Sequence, residues 1–201
     1  MNASPDATDQ KVNNFAYWNT IYEQEESPRW HIGVAPALKQ WLETSGAKPG
    51  RVLVPGCGYG PDAALLAGHG FDVTAVDFAP LAIERAKAMH PQARIDWRVA
   101  DIFELPEREH FDYVYEYTCL VAIQPGRRAE YAKACHSWLR KGGRLIGCFY
   151  NHGREGGPPF NITREQVLKL FEPLFKIHTL EITPHSIDRR KGHELWADFE
   201  K

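Results

Sequence analysis

Gly56, Gly58 and Gly60 follow the apolar run Val52-Leu53-Val54, and Asp77 closes the next apolar run 17 residues after the last of them. Glycine permits positive φ and lets the backbone come close to a ligand. A carboxylate at the end of the neighbouring strand can accept both hydroxyls of a ribose. Taken singly, the glycines would serve equally well as a tight turn built for packing; together with the strand-ending acid they point to recognition of a nucleoside. A dinucleotide site would read G-x-G-x-x-G, with a helix N-terminus turned to pyrophosphate. Here the turn reads GCGYGPD, with Pro61 and Asp62 at the helix start. A carboxylate there repels pyrophosphate and favours a cation. A ribose without phosphate, joined to a positive sulfur and an amino-acid tail, describes S-adenosylmethionine, the expected cofactor.

Methyl transfer from a sulfonium is an in-line displacement. It requires the two partners aligned within about 3–3.5 Å and water excluded. Trp18, Tyr22, Trp30 and Tyr117 supply aromatic faces, each able to attract a sulfonium by about 0.5–2 kcal/mol. A free thiol has an ordinary pKa of about 8.5 and a tyrosine one near 10. Tyr117 is therefore expected to orient and stabilise a thiolate by donating a hydrogen bond, with the proton leaving through water. Glu116 reads either as a contact to the donor's amine or as a structural acceptor. Asp62 either complements the helix dipole or pairs with that amine. Cys57 reads as a packing residue and Cys119 as pocket wall. The nine histidines fall in no metal-binding spacing, so no metal is expected.

The elements that must hold these residues read as strand, loop and helix in alternation. Strands are expected at 51–55, 72–76, 94–99, 111–116 and 144–150, with Gly142-Gly143 turning into the last. Helices are expected at 14–23, 35–44, 61–69, 80–89, 127–140 and 163–171. Such alternation builds a parallel sheet with helices on both faces, and its ligands bind at the carboxyl ends of the strands. The runs KIHTLEI and HELWADFE add an antiparallel edge pair. The expected fold is α/β, a doubly wound, seven-stranded, mostly parallel sheet. Residues 1–13 are expected to form a disordered tail. Residues 14–201 form one domain, of which 14–45 supply an N-terminal helical lid and the first helices.

Composition narrows the partners. The net charge of -2, with basic residues scattered apart from Arg189-Arg190-Lys191, argues against a nucleic-acid surface. No apolar run approaches the roughly 18 residues of a membrane span. The polar N-terminus lacks the apolar core of a signal peptide. Four cysteines without a C-x-x-C pair read as reduced thiols, hence a cytoplasmic protein. A monomer or weak homo-oligomer is expected.

The stretch VPGCGYGPDAALLAGHGFDVTAVD resembles the nucleotide-binding motif of class I S-adenosylmethionine-dependent methyltransferases. ADIFELP, FDYVYEYTCLVAIQPGRRAEYA, EGGPPFNITREQV and PHSIDRRKGHELW extend the resemblance over nearly the whole chain from about residue 14. They narrow it to the thiopurine methyltransferase superfamily and its thiol and halide/thiocyanate branch. The resemblance implies that Gly56, Cys57 and Gly58 line the methionine portion of the donor and that Asp77 takes the ribose hydroxyls. Phe78, Asp101 and Ile102 would meet the adenine. Glu116 and Tyr117 would sit beside the transferable methyl, and Trp18 and Trp30 would close over donor and acceptor. Thiopurine-specific members carry an arginine where this chain has Tyr117, which makes a planar aromatic acceptor less suitable. The expected activity is methylation of a small thiol or thiolate, with a halide or thiocyanate as the alternative acceptor. A nicotinamide-dependent oxidoreductase and a non-catalytic donor-binding module are the readings from other classes.

Overall fold

A computed structural model describes residues 11–24, 33–106 and 108–201. The chain order is α1 (Phe15–Gln24), α2 (Pro36–Thr44), β1 (Arg51–Pro55), α3 (Pro61–Gly68), β2 (Asp72–Asp77), α4 (Pro80–Met89), β3 (Ile95–Val99), β4 (Phe111–Tyr117), α5 (Arg128–Trp138), β5 (Leu139–Tyr150), α6 (Arg164–Phe171), β6 (Lys176–Ile182) and β7 (Glu194–Glu200). Proline opens α2, α3 and α4, where its missing N–H costs nothing and its φ is already helical. Thr163 and Gln166 form a capping box at the start of α6, satisfying two otherwise orphaned backbone donors.

The seven strands run in the order β3-β2-β1-β4-β5-β7-β6. The first five are parallel, and β7 pairs antiparallel with both β5 and β6. The chain steps outward from β1 to β3 and then returns to place β4 on the other side of β1. That reversal opens a crevice above the carboxyl ends of β1 and β4. Alternate residues feed two cores. Val52, Val54, Tyr115 and Ile146 pack with Leu38 and Trp41 of α2 and with Ala63 and Leu66 of α3. Leu53, Val114 and Leu145 pack with Tyr131 and Trp138 of α5 and Phe171 of α6.

Most expected elements stand within one or two residues of their expected limits. The largest difference is β5, which begins at Leu139 rather than 144. Gly142-Gly143 lie inside its ladder, because Gly142 N–H donates to the Lys201 carbonyl and Lys201 N–H donates to that of Gly143, each at 2.9 Å. Lys201 thus ties down the expected turn. At the other end, residues 1–10 of the expected tail lie outside the described residues. Lys11–Asn13 lie within the described residues, and Val12 is buried. Among the described residues no helix is long and apolar enough to cross a membrane.

Candidate active site

The turn after β1 owes its shape to its glycines. Gly56, Gly58 and Gly60 all have positive φ, at 60°, 54° and 71°. A Cβ on Gly56 would lie 2.9 Å from Cys119 Sγ, and one on Gly58 would lie 3.2 Å from the Tyr22 hydroxyl. The loop after β4 and helix α1 therefore press onto the bare backbone of the turn after β1. One cleft runs across this edge of the sheet. Asp101 and Ile102 follow β3, Asp77 and Phe78 end β2, Gly56–Gly58 follow β1, Tyr117 ends β4 and Tyr150 ends β5; all line it. Strands lie about 4.8 Å apart, so four strand steps set the two ends roughly 19 Å apart.

Asp77 anchors the turn. Its Oδ2 accepts from Gly58 N–H at 2.8 Å and its Oδ1 from Ala79 N–H at 2.9 Å. Burial raises its pKa, and these backbone donors pull the other way. Asp101 caps the turn after β3 by accepting from Phe103 N–H at 2.9 Å. Asp62 lines the cleft from the first turn of α3. It accepts from Ala35 N–H at 2.8 Å and from the Tyr115 hydroxyl at 3.2 Å. Burial pushes its carboxyl up to about 7, so it carries only part of a negative charge at neutral pH. The expected repulsion of phosphate is correspondingly weaker.

The N-terminal segment contributes to the wall of the cleft. Trp18 Nε1 donates to the Val12 carbonyl at 2.8 Å, and Asn13 Nδ2 donates to Gln124 Oε1 at 2.7 Å. Val12, Trp18 and Tyr22 all line the wall. Trp30, expected to complete this cover, lies outside the described residues.

Two expectations are corrected. Glu116 does not line the cleft. Along β4, Tyr115 and Tyr117 turn to one face, their rings stacked with centroids 6.5 Å apart, and Glu116 turns to the other. There it is fully buried, accepting from Leu120 N–H at 3.1 Å and from the Tyr131 hydroxyl of α5. It is a structural acceptor beneath the loop. Burial pushes its carboxyl from about 4.5 up to about 7. Between those values the folded chain keeps a proton that the unfolded chain has lost. Stability from this group is therefore full at low pH and declines as pH rises to about 7. Asp62 adds a slope of the same sign. Glu116→Gln is expected to flatten the fall in unfolding free energy between pH 5 and 7.5 by about 2 kcal/mol; denaturant titrations that give the parental slope would contradict this.

The second correction concerns Tyr117. Its hydroxyl does not point a proton at the cleft but donates to Glu194 Oε1 at 2.8 Å. Arg190 Nη1 donates to the Tyr117 oxygen and to Glu194 Oε1, each at 3.2 Å. Ser186 Oγ donates to Glu194 Oε2 at 2.5 Å. The Arg190 guanidinium lies 4.7 Å from the Tyr150 ring centroid, and both it and Pro158-Pro159 of the GGPP loop border the cleft. Arg190 and Glu194 are almost fully buried. Arg190 belongs to the one basic cluster visible in the sequence, but nothing local places it 73 positions away, on Tyr117.

The parallel sheet, the glycine turn at its point of reversal and the cleft along its carboxyl edge define the class I S-adenosylmethionine-dependent methyltransferase fold. A family model described as thiopurine S-methyltransferase matches residues 13–197, and the chain belongs to that family. It is 31% identical over 191 residues to thiocyanate methyltransferase 1 of Arabidopsis thaliana, covering 92% of this chain and 84% of the relative. It is 30% identical over 196 residues to probable thiol methyltransferase 2 of the same plant, covering 94% and 86%. Among solved structures, the 1,6-didemethyltoxoflavin N1-methyltransferase of Burkholderia thailandensis superposes with a TM-score of 0.76 at 20% identity. That match covers 100% of this chain and 93% of the other.

Proposed function

We propose that the protein transfers the methyl group of S-adenosylmethionine to a small soft nucleophile, a thiol or thiolate first and thiocyanate or a halide second. The observation that carries this reading is the end of the cleft beyond β4. A buried guanidinium, Arg190, is set there between the rings of Tyr117 and Tyr150. That recess suits a compact, polarisable anion held away from water.

The rest of the cleft fits the donor. The bare turn at Gly56 and Gly58, which a Cβ would crowd, leaves room for the methionine portion beside Cys57. Asp77 is placed to take ribose hydroxyls with its remaining lone pairs, and Asp62 to face the ammonium. Phe78, Asp101 and Ile102 frame the adenine. Bound there, S-adenosylmethionine supplies an electrophilic methyl carbon on a positive sulfur. The protein aligns the acceptor with it and, through Trp18 and Tyr22, excludes water. The names of the two plant relatives, a thiocyanate and a probable thiol methyltransferase, support both acceptor classes.

Gas chromatography of the headspace above protein, S-adenosylmethionine and a mixture of sulfide, methanethiol, iodide and thiocyanate tests the reading. Methylated sulfur products, with S-adenosylhomocysteine in equal amount, are expected. No methylated product from any of the four would refute it.

A further inference from the structure

We propose that Glu194, acting through the Tyr117 hydroxyl, receives the proton that a thiol acceptor must lose as it is methylated. The inference rests on the thiol reading above and adds the route of the proton.

Hydrogen-bond directions at Tyr117 fix what the phenol can do. Its single O–H is committed to Glu194 Oε1. One oxygen lone pair is taken by Arg190 Nη1. What the oxygen has left to offer is a second lone pair, which accepts. Tyr117 lines the cleft, so an S–H reaching it would donate to it. Burial pushes the ionisation of Tyr117 far above its ordinary value, so a standing phenolate is not the base. A phenol that takes one proton while handing its own to a carboxylate needs no phenolate.

The step balances. The thiol sulfur forms the new S–CH3 bond with its own electron pair, and the pair of the broken sulfonium C–S bond stays on the departing sulfur. The S–H proton goes to Tyr117 Oη, and the Tyr117 proton goes to Glu194 Oε1. After the product leaves, the proton passes back from Glu194 Oε1 to Tyr117 Oη, and Tyr117 gives one to water entering the cleft.

The carboxylate is built in from every side. Tyr117 meets it from β4, and Tyr150 and Cys148 lie along β5. Ser186 and Arg190 reach it from the link between β6 and β7, and the negative charge of Glu194 acts on Asp62 of α3. Glu194 does not touch the acceptor; it positions Tyr117 and receives its proton.

Thiocyanate has no proton to lose, so the same enzyme carries its own control. The experiment measures kcat/KM for ethanethiol and for thiocyanate from pH 6 to 9, in the wild type and in Glu194→Gln. Calorimetry of S-adenosylmethionine binding to each protein checks that the donor site is kept. The expected result is a fall of roughly 10²-fold in kcat/KM for ethanethiol itself at pH 7, with kcat/KM for thiocyanate not lowered and donor affinity retained. The remaining ethanethiol rate should climb with the thiolate fraction. Equal losses with both acceptors, or a variant ethanethiol profile parallel to that of the wild type, would overturn the relay and leave the methyltransferase reading intact. A wild type that methylates neither acceptor would overturn both. Should Glu194→Gln fail to fold, the wild type alone decides: a solvent deuterium isotope effect is expected on ethanethiol methylation and not on thiocyanate methylation, and its absence refutes the relay.

Discussion

Asp77→Ala is expected to lower the affinity for S-adenosylmethionine by about two orders of magnitude. Hydrogen bonds to a charged acceptor contribute about 1.5–3 kcal/mol each, and a ribose offers two hydroxyls. Losing about 3 kcal/mol corresponds to roughly 150-fold in dissociation constant. The same carboxylate holds Gly58 and Ala79 N–H, so alanine also frees the turn. Asp77→Asn separates the two effects in part. Its amide oxygen can still accept from Gly58 N–H while the Ala79 N–H loses its acceptor, so the turn should keep one of its two anchors while donor affinity falls by about tenfold. Calorimetric titration reads both variants. Wild-type affinity in Asp77→Ala would remove this residue from the donor site.

The second large effect lies in the scaffold. Gly147 of β5 stands opposite Glu116 of β4. A Cβ built on Gly147 would overlap the Glu116 carbonyl oxygen and crowd that residue's backbone nitrogen, and its φ of 147° is one that side chains rarely adopt. The neighbour here is strand backbone and cannot swing aside. Gly147→Ala is expected to cost about 3 kcal/mol or more, from strain and overpacking together. For a chain of this size that is about 10 °C in Tm. An alanine variant melting within 2–3 °C of the parent would contradict the close approach. The strand pair matters to chemistry because β4 carries Tyr117 and β5 carries Tyr150.

The sheet could be read from the sequence because its strands are short apolar runs punctuated by Gly, Pro and Asp. The run at 51–55 matches β1 residue for residue, and β2 extends only to include Asp77 itself. The glycine turn could be read for the same local reason. The face of Glu116 could not. Both faces of β4 are covered, so polarity does not alternate along FDYVYEY, and only the packed α5 reveals that Tyr131 waits on the Glu116 side. The Arg190–Glu194 pair was hidden by topology. HELWADFE reads as one half of an antiparallel edge pair, as found, but only the fold shows that β7 is the inner strand of that pair, between β5 and β6. That placement is what carries Glu194 up to Tyr117. The role of Tyr117 followed the same limit: its type was visible, but the direction of its hydroxyl depends on a partner 77 positions away.

We propose that the glycine turn and Asp77 hold a sulfonium nucleoside without phosphate. Calorimetric titration of the wild-type protein with S-adenosylmethionine, and separately with NADH, tests it most directly. One molecule of S-adenosylmethionine bound per chain and no heat from NADH is the predicted result. Binding of NADH, or no binding of S-adenosylmethionine, would contradict it.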